Sequence, residues 1–146
     1  MLRIGSPLLG GVGMLGNHCI KTWSASQGPY DLSSAEAEVY AMIEAFTRAK
    51  GLLSLANEIG FRGLSNVMHL GTDSSAAKIF VSRRGLGKMR HIEIRDLWLQ
   101  KEVLEGKVLV SKVLGTENPA DLMTKLLGFK DIVSRLEKMS IRAQLR

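Results

Sequence analysis

Apolar residues recur at helical spacing between positions 33 and 60. In "DLSSAEAEVYAMIEAFTRAKGLLSLANEIGF", Val39, Met42, Ile43 and Phe46 fall on one stripe, followed by Leu53 and Ala56. Ser33 with Glu36 three positions on has the form of a capping box. Gly51 is a candidate bend, and Gly60 is the expected stop. Upstream, "GGVGMLGNHCIKTWSAS" has two short apolar runs around Gly16-Asn17, the pattern of a β-hairpin, and Gly28-Pro29 then breaks the chain. Downstream, "SNVMHLGTD" predicts a strand and "SSAAKIFVSR" a short helix. "RGLGKM" predicts a basic loop, and "RHIEIRDLWLQKEVLEG" a helix closing at Gly106. "KVLVSKVLG" alternates as a strand does, with Val108 and Val110 opposed to Leu109 and Ser111. "TENPADLMTKLL" predicts a helix with Pro119 in its first turn. In the tail, Lys130 to Arg146, Ile132, Leu136, Met139 and Ala143 are spaced like a basic amphipathic helix. The order hairpin, helix, strand, helix, helix, strand, helix predicts an α/β or α+β fold: a mixed sheet flanked by helices.

Composition adds three constraints. A length of 146 residues suits a single domain able to bury its own core. The net charge of +6 and pI of about 9.7 favour an anionic partner, of which nucleic acid is the commonest, although a solvated positive surface explains the same numbers. Cys19 stands alone, which excludes an internal disulfide and a cysteine-built zinc site and fits a reducing compartment. No apolar run reaches the roughly 18 residues of a membrane span. Met1 to Leu15 is apolar, but Gly5, Pro7, Gly10, Gly11 and Gly13 interrupt it, so it reads as the start of a domain rather than a signal peptide. An intracellular protein, cytoplasmic or nuclear, with no membrane partner is expected.

Three carboxylates occupy suggestive places. Glu38 lies in the first turns of the long helix, Asp73 follows the strand around Val67 to Gly71, and Asp121 lies near the start of the element after the last strand. Ligand sites in open sheets form beyond strand ends, where helices begin. Carboxylates gathered there would suit magnesium, which takes oxygen ligands, keeps waters and binds phosphates. Two such ions activate a water and stabilise the leaving oxygen in phosphodiester cleavage. The helix dipole explains each carboxylate taken singly. Glu36 already has a capping role, whereas Glu38, two positions on, points to another side of the helix and is the better ligand candidate.

The basic stretch Arg83, Arg84, Lys88, Arg90, Arg95 is dense enough for contact with a nucleic-acid backbone, with a solvated charged face as the competing reading. His91 sits beside Arg90 and could reach a phosphate or lie idle at the surface. His18 and His69 lack ligand spacing to it, and Trp23 and Trp98 read as core.

"LSSAEAEVYAM", "LGTDSSAAKIF", "MRHIEIRDLWLQKEVLEGKVLVSKVLGTENPADLMTKLL" and the earlier "IKTWSASQG" together resemble the ribonuclease H region at the end of copia-type retrotransposon Pol polyproteins. The likeness runs in order from about Gly10 to Leu127. It implies a ribonuclease H-like fold, a five-stranded mixed sheet flanked by helices. The implied activity is cleavage of the RNA strand of an RNA–DNA hybrid with two Mg2+ ions, next to a reverse transcriptase domain in the full polyprotein. Residue by residue it assigns Glu38, Asp73 and Asp121 as catalytic metal ligands. It leaves His91, in "RHIEIR", as a substrate-side residue of underived role.

One departure is serious. Ribonucleases H of this kind open with a strand carrying a further catalytic aspartate, and residues 1 to 30 contain no Asp or Glu. The resemblance therefore implies a chain lacking the first central strand, with 1–9 unmatched, 10–128 ribonuclease H-like and 129–146 a basic amphipathic C-terminal helix. Loss of the shared ligand implies an inactive hydrolase, because catalytic geometry must be held tightly. Loss of a central strand leaves unpaired edges, to be filled by Met1 to Gly5, by closure of the hairpin onto the neighbouring strand, or by another polypeptide. The alternatives to an endonuclease are a catalytically dead nucleic-acid-binding remnant and a decayed transposon fragment.

Overall fold

Ser33 begins the longest element as its sequence requires. Its hydroxyl accepts from the Glu36 N–H at 3.3 Å, and the Glu36 carboxylate accepts from the Ser33 N–H at 3.1 Å, a complete capping box. The helix that follows, α1 (Ser34–Glu58), runs unbroken through Gly51. Gly60, at φ 77°, then ends it in a conformation that glycine adopts without penalty. The computed structural model describes residues 8–26, 33–89 and 92–142, with the backbone alone described at Ile94 and Arg95. The chain divides into two compact units, Leu32–Val113 and a second formed by Met1–Asp31 with Leu114–Arg146.

In the first unit α1 is followed by β3 (Met68–Thr72), α2 (Ser75–Val81), a 3-10 turn (Ile94–Leu97), α3 (Trp98–Leu104) and β4 (Val108–Lys112). The strands pair in parallel, Met68 opposite Val108 and Thr72 opposite Lys112. A parallel pair needs a long crossover, which α2 and α3 supply. Leu70 and Thr72 are buried, and the alternate positions His69 and Gly71 are exposed, the period-two signature of a strand covered on one face. The core joins Val39, Met42, Ile43 and Phe46 of α1 to Leu70, Ala77, Phe80, Val81, Ile92, Leu99 and Val108. Burying each large side chain contributes about 1.5–3 kcal/mol before entropy is subtracted. Phe46 stacks on Trp98 with ring centroids 5.0 Å apart. The Lys50 ammonium lies over both rings and pairs with Glu102 at 3.8 Å.

In the second unit β1 (Leu8–Leu15) and β2 (His18–Ser26) form the expected antiparallel hairpin. Its two-residue turn has Gly16 at φ 58°, the left-handed position that hairpin turns require. The register shifts after Gly13, leaving Ile20 as the extra residue of a bulge. Gly11 lies opposite Trp23, and a Cβ there would overlap the indole.

Three expected helices are shorter than their patterns predict. "TENPADLMTKLL" yields only 3-10 turns, Gly115–Glu117 and Pro119–Met123, the second capped by the Asn118 side chain accepting from the Ala120 N–H. The tail helix is confined to α4 (Phe129–Lys138), stopped where Ser140 takes a φ of 55°; residues 143–146 lie outside the described residues. In "RHIEIRDLWLQKEVLEG" the described residues Ile92 and Glu93 are not helical, and the helix begins at Ile94, first as the 3-10 turn and then as α3. The α/β class stands, but among the described residues the strands form two sheets of two, β1-β2 and β3-β4. Of the three ways to fill the unpaired edges, closure of the hairpin onto a neighbouring strand is absent from those sheets, and residues 1–5 lie outside the described residues.

Candidate metal and nucleic-acid site

Asp73 occupies the junction between β3 and α2, but it does not cap the helix. Ser74 does, its hydroxyl accepting from the Ala77 N–H at 3.1 Å. Glu38 is likewise not the cap of α1, since Glu36 and Ser33 share that role. Both candidate carboxylates are half-buried. Thr72 lies between their elements: its buried hydroxyl donates to Glu38 Oε2 at 3.4 Å and accepts from the Ser74 N–H at 3.1 Å. The turn that carries Asp73 is thus linked to the Glu38 side chain through one hydroxyl. Nearby, the Lys112 ammonium donates to the Ser75 hydroxyl.

Asp121 belongs to the other unit and has a different environment. It is buried in the 3-10 turn Pro119–Met123, with Lys125 2.9 Å from Oδ1 and Arg135 3.5 Å from Oδ2. Arg135 is itself 5% exposed and donates to the carbonyls of Asn118 at 3.1 Å, Asp131 at 3.3 Å and Gly115 at 3.4 Å. The Asp121 carboxylate is therefore already neutralised by protein cations.

Among the described residues no group of three or more His, Cys, Asp or Glu side chains could hold a metal ion. The donor chemistry of Glu38 and Asp73 nevertheless suits a hard cation, since magnesium is commonly held by one or two carboxylates with water and phosphate completing its shell.

The basic residues separate into two kinds. Arg83 folds back on its own loop, its guanidinium carbon 5.2 Å from the Phe80 ring and one nitrogen donating to the Leu86 carbonyl at 3.0 Å. Arg84 and Lys88 are exposed. Arg90, His91 and the Arg95 side chain lie outside the described residues. Trp98 packs, partly buried, against the core of its unit, and Trp23 in the hairpin is likewise only half-buried, where the sequence predicts core positions for both.

A curated protein of Nicotiana tabacum, the retrovirus-related Pol polyprotein from transposon TNT 1-94, is 31% identical to this chain over 98 residues, which is 66% of the chain and 7% of the relative. The similarity is to a retrotransposon Pol polyprotein. It supports a retrotransposon Pol origin for a chain that spans only about 7% of the length of the relative it matches. No family model matches, and no solved structure matches. Among the described residues no helix is long and apolar enough to cross a membrane.

Sequence reasoning passed over three side chains that organise these places. Thr72 offered only its position beside Asp73. Gln100 is a polar residue on the same helical stripe as Leu97 and Leu104, and Arg135 lies among Ile132, Leu136 and Met139; both were visible as polar interruptions of apolar patterns.

Proposed function

We propose that this chain is a ribonuclease H-like piece of a retrotransposon Pol polyprotein, whose ancestral substrate is an RNA–DNA hybrid and whose full-length context supplies a reverse transcriptase domain. The observation that carries the reading is the Thr72 hydroxyl joining Glu38 to the turn of Asp73 at the end of β3. Two carboxylates freed from capping duties and presented at a strand end are the ingredients for holding a hydrated dication against a phosphodiester. Asp121 is assigned as the third ligand by the resemblance alone. When bound, Mg2+ supplies activation of a water and stabilisation of the leaving oxygen. The chain's own contribution is to fix the oxygen donors: Thr72 orients the Glu38 carboxylate, and Ser74 keeps the Asp73 turn in place. Arg84 and Lys88 contribute positive charge for the nucleic-acid backbone.

A second reading, a nucleic-acid-binding remnant without turnover, is favoured by the ion pairs that occupy both Asp121 oxygens. One experiment separates the two. The purified chain is incubated with an end-labelled RNA–DNA hybrid and Mg2+, beside Glu38→Gln and Asp73→Asn. Cleavage by the wild type that both substitutions abolish supports the nuclease. Salt-sensitive binding without cleavage supports the remnant. Neither binding nor cleavage would overturn both readings.

A further inference from the structure

The loop at 82–89 bears Arg84 and Lys88, and its shape depends on a residue outside it. Gln100, in α3 and 4% exposed, commits its whole amide to this loop and to the helix end before it. Its Oε1 accepts from the Gly85 N–H at 2.8 Å. Its Nε2 donates to the Gly85 carbonyl at 3.1 Å and to the Phe80 carbonyl at 2.9 Å. The side chain thus pairs with both the N–H and the carbonyl of Gly85 and anchors the C-terminal end of α2. Gly85 at φ 80° and Gly87 at φ 57° supply the left-handed positions that this path needs, and a Cβ on Gly87 would collide with the Arg83 guanidinium. Arg83 closes the loop from within by its bond to the Leu86 carbonyl. The two remaining cations, Arg84 and Lys88, project from a frame fixed before any ligand arrives.

We propose that Gln100 is the positioning residue of a preorganised phosphate-contacting loop, acting on nucleic acid only through Arg84 and Lys88. The inference rests on the nucleic-acid reading above. Ordering a flexible basic loop on binding costs free energy, and two exposed cation–phosphate contacts are each too weak in water to recover it, so a loosened loop makes neither contact and a fixed loop makes both. The buried amide is what fixes this one, since an unpaired amide left in that place would itself be destabilising.

The test uses the full chain and an RNA–DNA hybrid, with affinity measured by fluorescence anisotropy over a salt series. Each phosphate contact contributes about 0.9 to the slope of log affinity against log salt for duplex DNA, so R84A/K88A is expected to flatten the slope by about 2. Q100M keeps the side-chain length and loses all three bonds. It is expected to flatten the slope as R84A/K88A does and to add nothing when combined with it. An amide that served stability alone would lower the melting temperature and leave the slope unchanged. A wild-type slope in Q100M, with R84A/K88A flattened, overturns the inference and spares the nucleic-acid reading. A wild-type slope in R84A/K88A overturns the role of the loop and the inference with it. Should Q100M not fold, hydrogen exchange in the wild type decides. A Gly85 amide protected equally in the free chain and in the complex supports a preformed loop, and one protected only in the complex overturns it.

Discussion

Replacing Arg135 by methionine asks how much one buried guanidinium contributes to the unit built on the hairpin and α4. Arg135 is 5% exposed and Asp121 6% exposed, so their interaction is shielded from water. Its bond to the Asn118 carbonyl is well formed at 3.1 Å, while those to Asp131 and Gly115 are longer, at 3.3 Å and 3.4 Å. The contact with the Asp131 carboxylate, at 3.9 Å to a side chain 66% exposed, contributes almost nothing. Removing one partner of a buried ion pair costs about 3–5 kcal/mol. The low end applies here, because Lys125 still neutralises Asp121 from 2.9 Å and methionine refills the space of the aliphatic stem. The expected loss is about 3 kcal/mol, roughly a hundredfold in the folding equilibrium. Urea unfolding followed by circular dichroism measures it. Asp121→Asn in the same series, with the double variant, should show coupling of about 0.5–3 kcal/mol between the two sites. An R135M midpoint equivalent to less than about 0.5 kcal/mol, the range of an ordinary surface change, would refute a buried network around Arg135.

Phe46→Ala, at the fully buried centre of the α1 face, should cost about 3–5 kcal/mol in the same assay and remove the ring that stacks on Trp98. Ser33→Ala should cost about 1 kcal/mol by opening the capping box, read as a loss of helical signal on heating. Lys107→Ala tests a pH dependence at the α3–β4 turn. A hydrogen bond from Lys107 holds the exposed Glu105 carboxyl below its ordinary value, and the same bond raises Lys107. The Glu105 contribution is present above the ordinary carboxylate pKa and is lost as pH falls through the lowered value. That of Lys107 is present below the ordinary ammonium pKa and is lost as pH rises through the raised value. The melting temperatures of K107A and wild type should therefore converge at both extremes and differ, by a small amount, between them.

What the sequence revealed and what it hid follow from the range of the interactions involved. The capping box at Ser33, the hairpin turn at Gly16 and the stop at Gly60 depend on residues a few positions apart, and each was legible. So was the capping role of Glu36, which sets it apart from Glu38 two positions on. The shortened helix at Pro119–Met123 was not, since the buried Asp121–Arg135 pair holds that segment by a contact between residues 14 apart. Gln100 reaches back 15 and 20 residues to Gly85 and Phe80, and Thr72 reaches 34 to Glu38. No local pattern encodes those pairings. Separating Arg83 from Arg84 was equally out of reach, because the difference lies in a ring and a carbonyl that only the folded loop brings together.

The placement of the two indoles has a practical consequence. Trp23 crosses Gly11 in the hairpin, and Trp98 rests on Phe46 in the Leu32–Val113 unit, so each unit contains a single tryptophan, whose emission can be excited apart from that of tyrosine. Trp23→Phe leaves emission that reports one unit alone, and Trp98→Phe leaves emission that reports the other. Superimposable denaturation curves from the two single-tryptophan proteins would mean that the halves melt as one cooperative block, and separated midpoints would rank their stabilities directly.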